Sequence, residues 1–167
     1  MLPETKVENP KPMLSDKLVF KFLEEKNGTM WFVTDGNGIF KYKNDEFIHL
    51  TTKNGLTDNN TADILEDKQG NIWIGTFNGG VSKFDGTKYT NLTKDGIIAG
   101  VETYNFYEDS KGNVLVFGRR LCVYHYDGSN FTQFTIDDGL TSNVSSKYFR
   151  RQQKTSLVWN LARIKSL

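Results

Sequence analysis

The chain has a single cysteine, Cys122, and so cannot close an internal disulfide. Its only prolines, Pro3, Pro10 and Pro12, stand in the first twelve residues, and none interrupts the strand-like segments that follow. It has two histidines, His49 and His125, too few for a three-histidine metal site. No apolar run approaches the roughly 18 residues of a membrane span. The opening MLPETKVENPKP is polar and proline-bearing, without the pattern of a secretory signal, and resembles the spacer that follows a removed one. A net charge of +1 with both signs interspersed gives no electrostatic footprint for nucleic acid. What is plentiful is glycine, 15 residues, and aromatic side chains, 13% of the chain, a balance suited to an all-β protein with many tight turns.

The middle stretch, EDKQGNIWIGTFNGGVSKFDG from Glu66 to Gly86, recurs 42 residues earlier and 42 residues later. Gly28, Gly70 and Gly112 keep that step, as do Glu24, Glu66 and Glu108 before them. So do Tyr42, Phe84 and Tyr126, and likewise Phe47, Tyr89 and Phe131. Trp31 and Trp73 keep it too, with Leu115 in the third place. A period of about 40–45 residues built of strands and turns points to propeller blades.

Residues 1–16 are expected to be an extended lead-in. Three repeats follow, at 17–62, 63–104 and 105–147, each predicted to be a blade of four antiparallel strands. In the first, LVFKFLE, TMWFVT, IFKYK and EFIHL are the strands, with turns at Lys26–Gly28, Asp35–Gly38 and Asn44–Asp45. TTKNGLTDNN then carries the chain from the outer strand of one blade to the inner strand of the next. In the second, Ile72, Trp73 and Ile74 form the buried strand, and Gly75, Gly79 and Gly80 remove side chains where neighbours crowd. The third keeps the frame with different chemistry: VLVFG lacks tryptophan, and Arg119–Arg120 replace Phe77–Asn78. In it Cys122 replaces Gly80, and IDDGLTSNVS matches the earlier connecting loop.

A fourth repeat begins by Phe149 and then breaks off, so 150–167 is an aberrant tail. Written in AT-rich codons and read one nucleotide later, Arg150–Asn160 gives EDNKKQVWFGT. That reading puts Glu at position 150 and Trp at 157, both on the 42-residue grid. The tail is therefore expected to be out-of-frame translation of a longer propeller gene. Sequencing the locus checks it: a gene with no blade-like continuation in the neighbouring frame removes the idea.

The combination of acid pair, glycine turn, tryptophan, Gly-Thr and Asp-Gly over residues 17–149 resembles the two-component regulator propeller repeat. That family occurs in tandem in bacterial extracytoplasmic sensor regions, notably of hybrid two-component systems in Bacteroidetes. The resemblance implies a periplasmic or extracellular location. It also implies recognition of a carbohydrate or another nutrient signal, passed to a kinase elsewhere in the same chain.

Blades bury their faces only against neighbours, and complete propellers use four to eight. Three blades and a truncated fourth make an incomplete propeller with two apolar end faces. Either the ring is completed by a homo-oligomer through those open faces, two copies supplying six blades, or the chain is marginally folded.

Chemical candidates are few. Trp31 and Trp73 read as core rather than sugar platforms. His49 shares its position with Asn91 and Gln133, and His125 shares that of Lys41 and Lys83, so both read as solvent-facing. Cys122 reads as a small packing residue. Asp35–Gly38 reads as a β-turn rather than a calcium loop. The pairs Glu24–Glu25, Glu66–Asp67 and Glu108–Asp109 evoke glycoside hydrolysis. They recur before every glycine turn, which favours support of the turn and a soluble rim. Arg119 and Arg120 break the repeat and are candidates for an anionic ligand. Asp58, Asn59, Asn60, Ser142 and Asn143 lie on loops leading to the inner strands, where a propeller channel has its mouth. These seven residues form the candidate ligand site; no catalytic residue, metal or cofactor is expected. The function expected is non-catalytic ligand binding or signal sensing. The rivals are a propeller lyase, a self-assembling blade array, and a truncated product without function.

Overall fold

The computed structural model describes residues 5–7, 18–93, 98, 102–118 and 122–139. Within them the protein is all-β, with three antiparallel sheets and only short 3-10 turns at Thr52–Asn54 and Ile136–Asp138. The first sheet holds β1 (Thr5–Val7), β2 (Val19–Glu24), β3 (Met30–Thr34), β4 (Ile39–Lys43) and β5 (Glu46–Leu50), in the order β1-β5-β4-β3-β2. The second holds β6 (Thr61–Glu66), β7 (Ile72–Thr76), β8 (Gly80–Phe84) and β9 (Tyr89–Asn91) in sequence order. The third holds β10 (Thr103–Glu108), β11 (Val114–Gly118), β12 (Val123–Tyr126) and β13 (Phe131–Phe134), again in sequence order. Each repeat is thus a four-strand meander, as the sequence led us to expect. The lead-in adds a fifth strand to the first blade, Thr5–Val7 pairing with Phe47–His49.

Blade 2 has two buried faces, because strand alternation serves a different neighbour on each side, whereas Phe22 on the backward face of blade 1 is 67% exposed. On blade 1 the cross-strand row Leu23–Trp31–Lys41–Ile48 faces forward. On blade 2 the row Glu66–Ile72–Phe84–Tyr89 faces back to meet it. Trp31, Val33 and Leu50 of blade 1 form one core with Ile64, Ile72 and Ile74 of blade 2. Trp73, Val81 and Leu92 of blade 2 form the next with Phe106, Val114 and Val116 of blade 3. Inner strands lie side by side, β2 against β6 and β6 against β10.

Trp31 and Trp73 are each 0% exposed, in the core as read from the sequence. The second acid of each pair explains how the indole can be buried. Trp73 Nε1 donates to Asp67 Oδ2 at 2.8 Å, and Trp31 Nε1 donates to Glu25 Oε1. Asp67 also accepts from the Asn71 backbone N–H at 2.8 Å and from the Asn71 side-chain amide, so the one carboxylate closes the turn and orients the core ring. Asp67 is itself buried, so of the two roles expected for the acid pairs, turn support applies to it and rim solubility does not. In blade 3, where Leu115 replaces tryptophan, Asp109 keeps the same bond from the asparagine amide, Asn113 Nδ2 to its second oxygen at 2.8 Å, without the indole.

Gly75 shows what close packing of blades demands. A Cβ there would stand 2.8 Å from Thr103 Cγ2 and 3.2 Å from the Phe106 ring, both on blade 3. Gly80 combines a φ of +82° with a Cβ position 1.9 Å from Thr93 Oγ1, a place open only to glycine. The β4–β5 hairpin instead places Asn44 and Asp45 at φ 51° and 62°, the left-handed pair of a two-residue turn.

Replacing Asp67 with alanine strands the Trp73 indole N–H and the Asn71 amides in the interior. Chemical denaturation should show a loss of about 2–4 kcal/mol, the cost of unsatisfied buried donors formerly bonded to a charge. Glu66→Ala, on the exposed side of the same turn, should cost less than about 1 kcal/mol.

Candidate functional site

The loop joining blade 1 to blade 2, residues 51–60, sits on one rim of the arc with the β3–β4 and β7–β8 turns. It begins with a capped 3-10 turn: the Thr51 N–H donates to Asn54 Oδ1 at 2.9 Å, and Gly55 ends the turn at φ 110°. Leu56 then plugs the first core, 5% exposed. The Thr57 N–H donates to Ser82 Oγ at 3.2 Å, and the Thr57 and Thr76 hydroxyls lie 3.1 Å apart. The loop is a clasp between the two blades.

Three of the candidate ligand residues lie in this clasp, and side-chain oxygens of Asp58 and Asn59 are bound to its backbone. Asp58 Oδ1 accepts from the Asn60 N–H at 2.6 Å. Asn59 Oδ1 accepts from the Thr52 N–H at 2.8 Å, and its carbonyl accepts from the Gly38 N–H of blade 1 at 2.6 Å. The Asn60 carbonyl accepts from the Phe77 N–H at 2.9 Å. Asn60 Oδ1 is enclosed and has no hydrogen-bond partner. Arg119, Arg120, Ser142 and Asn143 lie outside the described residues.

Toward the axis the structure brings together a group that sequence reasoning missed. Lys21 Nζ pairs with Asp63 Oδ1, and Asp63 Oδ2 accepts from the Phe106 N–H at 2.8 Å. One carboxylate on blade 2 therefore touches blades 1 and 3. Asp63 is 5% exposed and Lys21 is 41% exposed. The available signal was the 42-residue step itself, which puts Lys21, Asp63 and Asn105 in equivalent places.

Lys41 and Lys83 were a second omission. The position they share with His125 reads as solvent-facing, yet Lys41 and Lys83 are half-buried between blades. Lys41 Nζ lies 5.2 Å from the Trp31 ring centre and 5.7 Å from that of Phe84. Lys83 Nζ lies 5.2 Å from Trp73 and 4.9 Å from Tyr126. Each ammonium is held in a cation–π sandwich whose second ring belongs to the next blade. His49 also departs from the solvent-facing reading. It is half-buried, stacks on Phe40 with ring centres 4.3 Å apart, and its Nε2 lies 2.6 Å from the Asn37 carbonyl oxygen.

In blades 2 and 3 the first acid of the pair reaches across to the preceding blade. The Lys26 N–H donates to Glu66 Oε2 at 3.2 Å, and the Lys68 N–H donates to Glu108 Oε1 at 2.7 Å. With one acid stapling blades and the other holding a turn, the pairs do not face each other across a cleft as glycosidase carboxylates must. Asp85, in the β8–β9 turn, accepts from the Lys88 N–H and from the hydroxyl and N–H of Thr87, which bring its pKa down to about 2. Burial pushes the Cys122 thiol up, away from the reactive thiolate range. Among the described residues no three His, Cys, Asp or Glu side chains gather to hold a metal ion.

Residues 55–78, from the clasp to the β7–β8 turn, match the family described as Two component regulator propeller. Among solved structures, the chain resembles one described as the extracellular domain of the hybrid two component system BT3049 from B. thetaiotaomicron. The two share 25% identity at a TM-score of 0.63, over 75% of this chain and 18% of that one. The extracellular domain of the one component system BT4673 from the same organism matches at 20% identity and TM-score 0.58, over 70% of this chain and 18% of its own. Virginiamycin B lyase from Staphylococcus aureus shares the fold at 13% identity and TM-score 0.52, over 80% of this chain and 44% of the lyase. Among curated proteins, none matches. The regulator-propeller resemblance is thus met by both comparisons, and the sheets are blades of the β-propeller type. The chain spans 18% of the length of either extracellular domain.

Asp63→Ala should lower stability by about 2–3 kcal/mol, because it removes a buried acceptor of the Phe106 N–H. Lys21→Ala should cost less than about 1 kcal/mol, since its ammonium is well solvated. Urea denaturation of both variants checks the order. A larger loss for Lys21→Ala would show that the ion pair, not the amide bond, joins the blades.

Proposed function

We propose that the protein is a non-catalytic ligand-binding and signal-sensing β-propeller module of an extracytoplasmic sensor region. The observation that carries this reading is the regulator-propeller match over residues 55–78, which covers the second part of the clasp and the strand pair it positions. The resemblance to extracellular domains of two component systems supports the compartment, periplasmic or extracellular. Among the described residues no helix is long and apolar enough to cross a membrane.

The ligand class is a carbohydrate or another small polar nutrient. Its place is the rim of the arc that carries the clasp. There Asp58 keeps its second carboxylate oxygen for a ligand, while the Asn59 amide oxygen holds the loop in shape. By the 42-residue step, Arg119 and Arg120 are the counterparts of Phe77 and Asn78 on that rim. Ser142 and Asn143 are the counterparts of Asp58 and Asn59 in the loop after blade 3. The acid pairs support the non-catalytic reading, since their carboxylates are taken up by backbone and indole donors. Against the lyase rival, the lyase likeness extends to the fold and carries no residue of this chain into a catalytic role.

A glycan array probed with the full chain tests the reading. A specific saccharide hit is expected, weakened at least tenfold by Asp58→Ala or Asn143→Ala and unchanged by Ser129→Ala on the opposite rim. Hits that ignore all three substitutions would remove the site. Silence across the array and across a panel of small polar metabolites would remove the binding function.

A further inference from the structure

The outer strands of the three blades differ in length and in what lies beyond them. β9 has three residues and β13 has four, and each is the last strand of its sheet. β5 has five, Glu46–Leu50, with Phe47, Ile48 and Leu50 among them. An edge of that length offers a row of backbone N–H and C=O groups and is a template for another strand. Here β1 takes it, with Thr5 opposite His49, Lys6 opposite Ile48 and Val7 opposite Phe47. Among the described residues blade 1 alone carries such an addition.

The added strand has one neighbour in the sheet. The order β1-β5-β4-β3-β2 sets it and the next strand of the chain at opposite edges. The crossing spans four strand spacings, about 19 Å. Residues 8–17, which join the two strands, reach about 35 Å when extended, so β1 can leave the edge without moving β2. The register also limits how far β1 can pair. Continued one place beyond Val7, it would set Glu8 against the exposed Glu46, and like charges directly opposite disfavour pairing. Toward the other end, Pro3 has no N–H to give to a ladder. The lead-in thus supplies three residues to an edge of five.

We propose that the outer edge of blade 1 is a strand-addition site for an extended peptide, and that Thr5–Val7 is its resident, exchangeable occupant. The partner that fits best has β-forming residues opposite His49 and Phe47, as the lead-in does, and a lysine or arginine opposite Glu46, as the lead-in does not. Ladder hydrogen bonds supply the affinity. The cation supplies the preference over the chain's own segment. Tethering gives the resident strand an effective concentration of about the millimolar range, so the lead-in acts as a built-in competitor for the edge. The site lies at the circumference and is independent of a small polar ligand at the clasp.

The test uses the full chain. Successive strand residues direct their N–H groups to opposite sides, so Lys6→Pro combined with Val7→Pro removes the donor facing β5 whichever of the two holds it. In this double variant hydrogen exchange of the outward-facing β5 amides is expected to quicken at least tenfold, with β7 of the central blade unchanged. A synthetic peptide of residues 2–9 added in trans is expected to restore the protection. The same peptide with Glu8→Lys is expected to do so at a concentration about threefold lower. In the otherwise unaltered chain, Glu8→Lys alone is expected to slow β5 exchange about threefold, and this comparison decides the matter if β7 also quickens in the double variant. Unchanged β5 exchange in the double variant overturns the proposal. So does an edge that millimolar peptide leaves unprotected, or a Glu8→Lys chain no slower than its parent. Protection of β5 that rises with the concentration of the double variant alone overturns it in favour of a second copy.

Discussion

The buried carboxylate of Asp67 is the interaction on which the central blade rests. A tryptophan can be wholly enclosed only if its N–H is satisfied, and a carboxylate can be enclosed only if several donors surround it. Here each meets the other's need: the Trp73 indole and the two Asn71 amides converge on one side chain 2% exposed. The glycine turn, the acid before it and the buried strand after it are thus one unit. That explains why they travel together through the repeat. Where Leu115 removes the indole, Asp109 keeps the two Asn113 amides that Asp67 has in Asn71, and the turn keeps its shape.

The second constraint is that the central blade is covered on both sides. A sheet with one wet face can put its charges there, whereas these blades must place lysines and acids within the contacts between blades. They do so in matched ways, an ammonium between two rings and a carboxylate on a turn amide. Neutral packing and charged contacts are therefore interleaved along one interface. Glycine at position 75 lets the blades approach closely enough for both to form.

The repeat step revealed the strands, the turns, the core tryptophans and the turn-holding role of the second acids, because each depends on a local pattern. It did not reveal the partners of Lys41, Lys83 or Lys21. A 42-residue step marks equivalent positions but does not say which neighbour a side chain faces. Alternation, the usual guide to a solvent face, loses its meaning when both faces are buried. Asp58 and Asn59 illustrate the converse. A polar loop at a channel mouth suggests a ligand site, but part of that polarity satisfies the backbone of a tight connection. His49 took its solvent-facing reading from Asn91 and Gln133, and the repeat step does not show its stacking on Phe40 or its contact with the Asn37 carbonyl.

The double engagement of Asp63 bears on the geometry of the assembly. Its two oxygens draw the inner strands of blades 1 and 3 toward the same point beside the axis. Curvature is thereby fixed where the radius is smallest, and a small change of angle there is magnified at the circumference. The number of blades that would close a circle is written in the inner strands, while the outer strands are left free to vary in length and decoration.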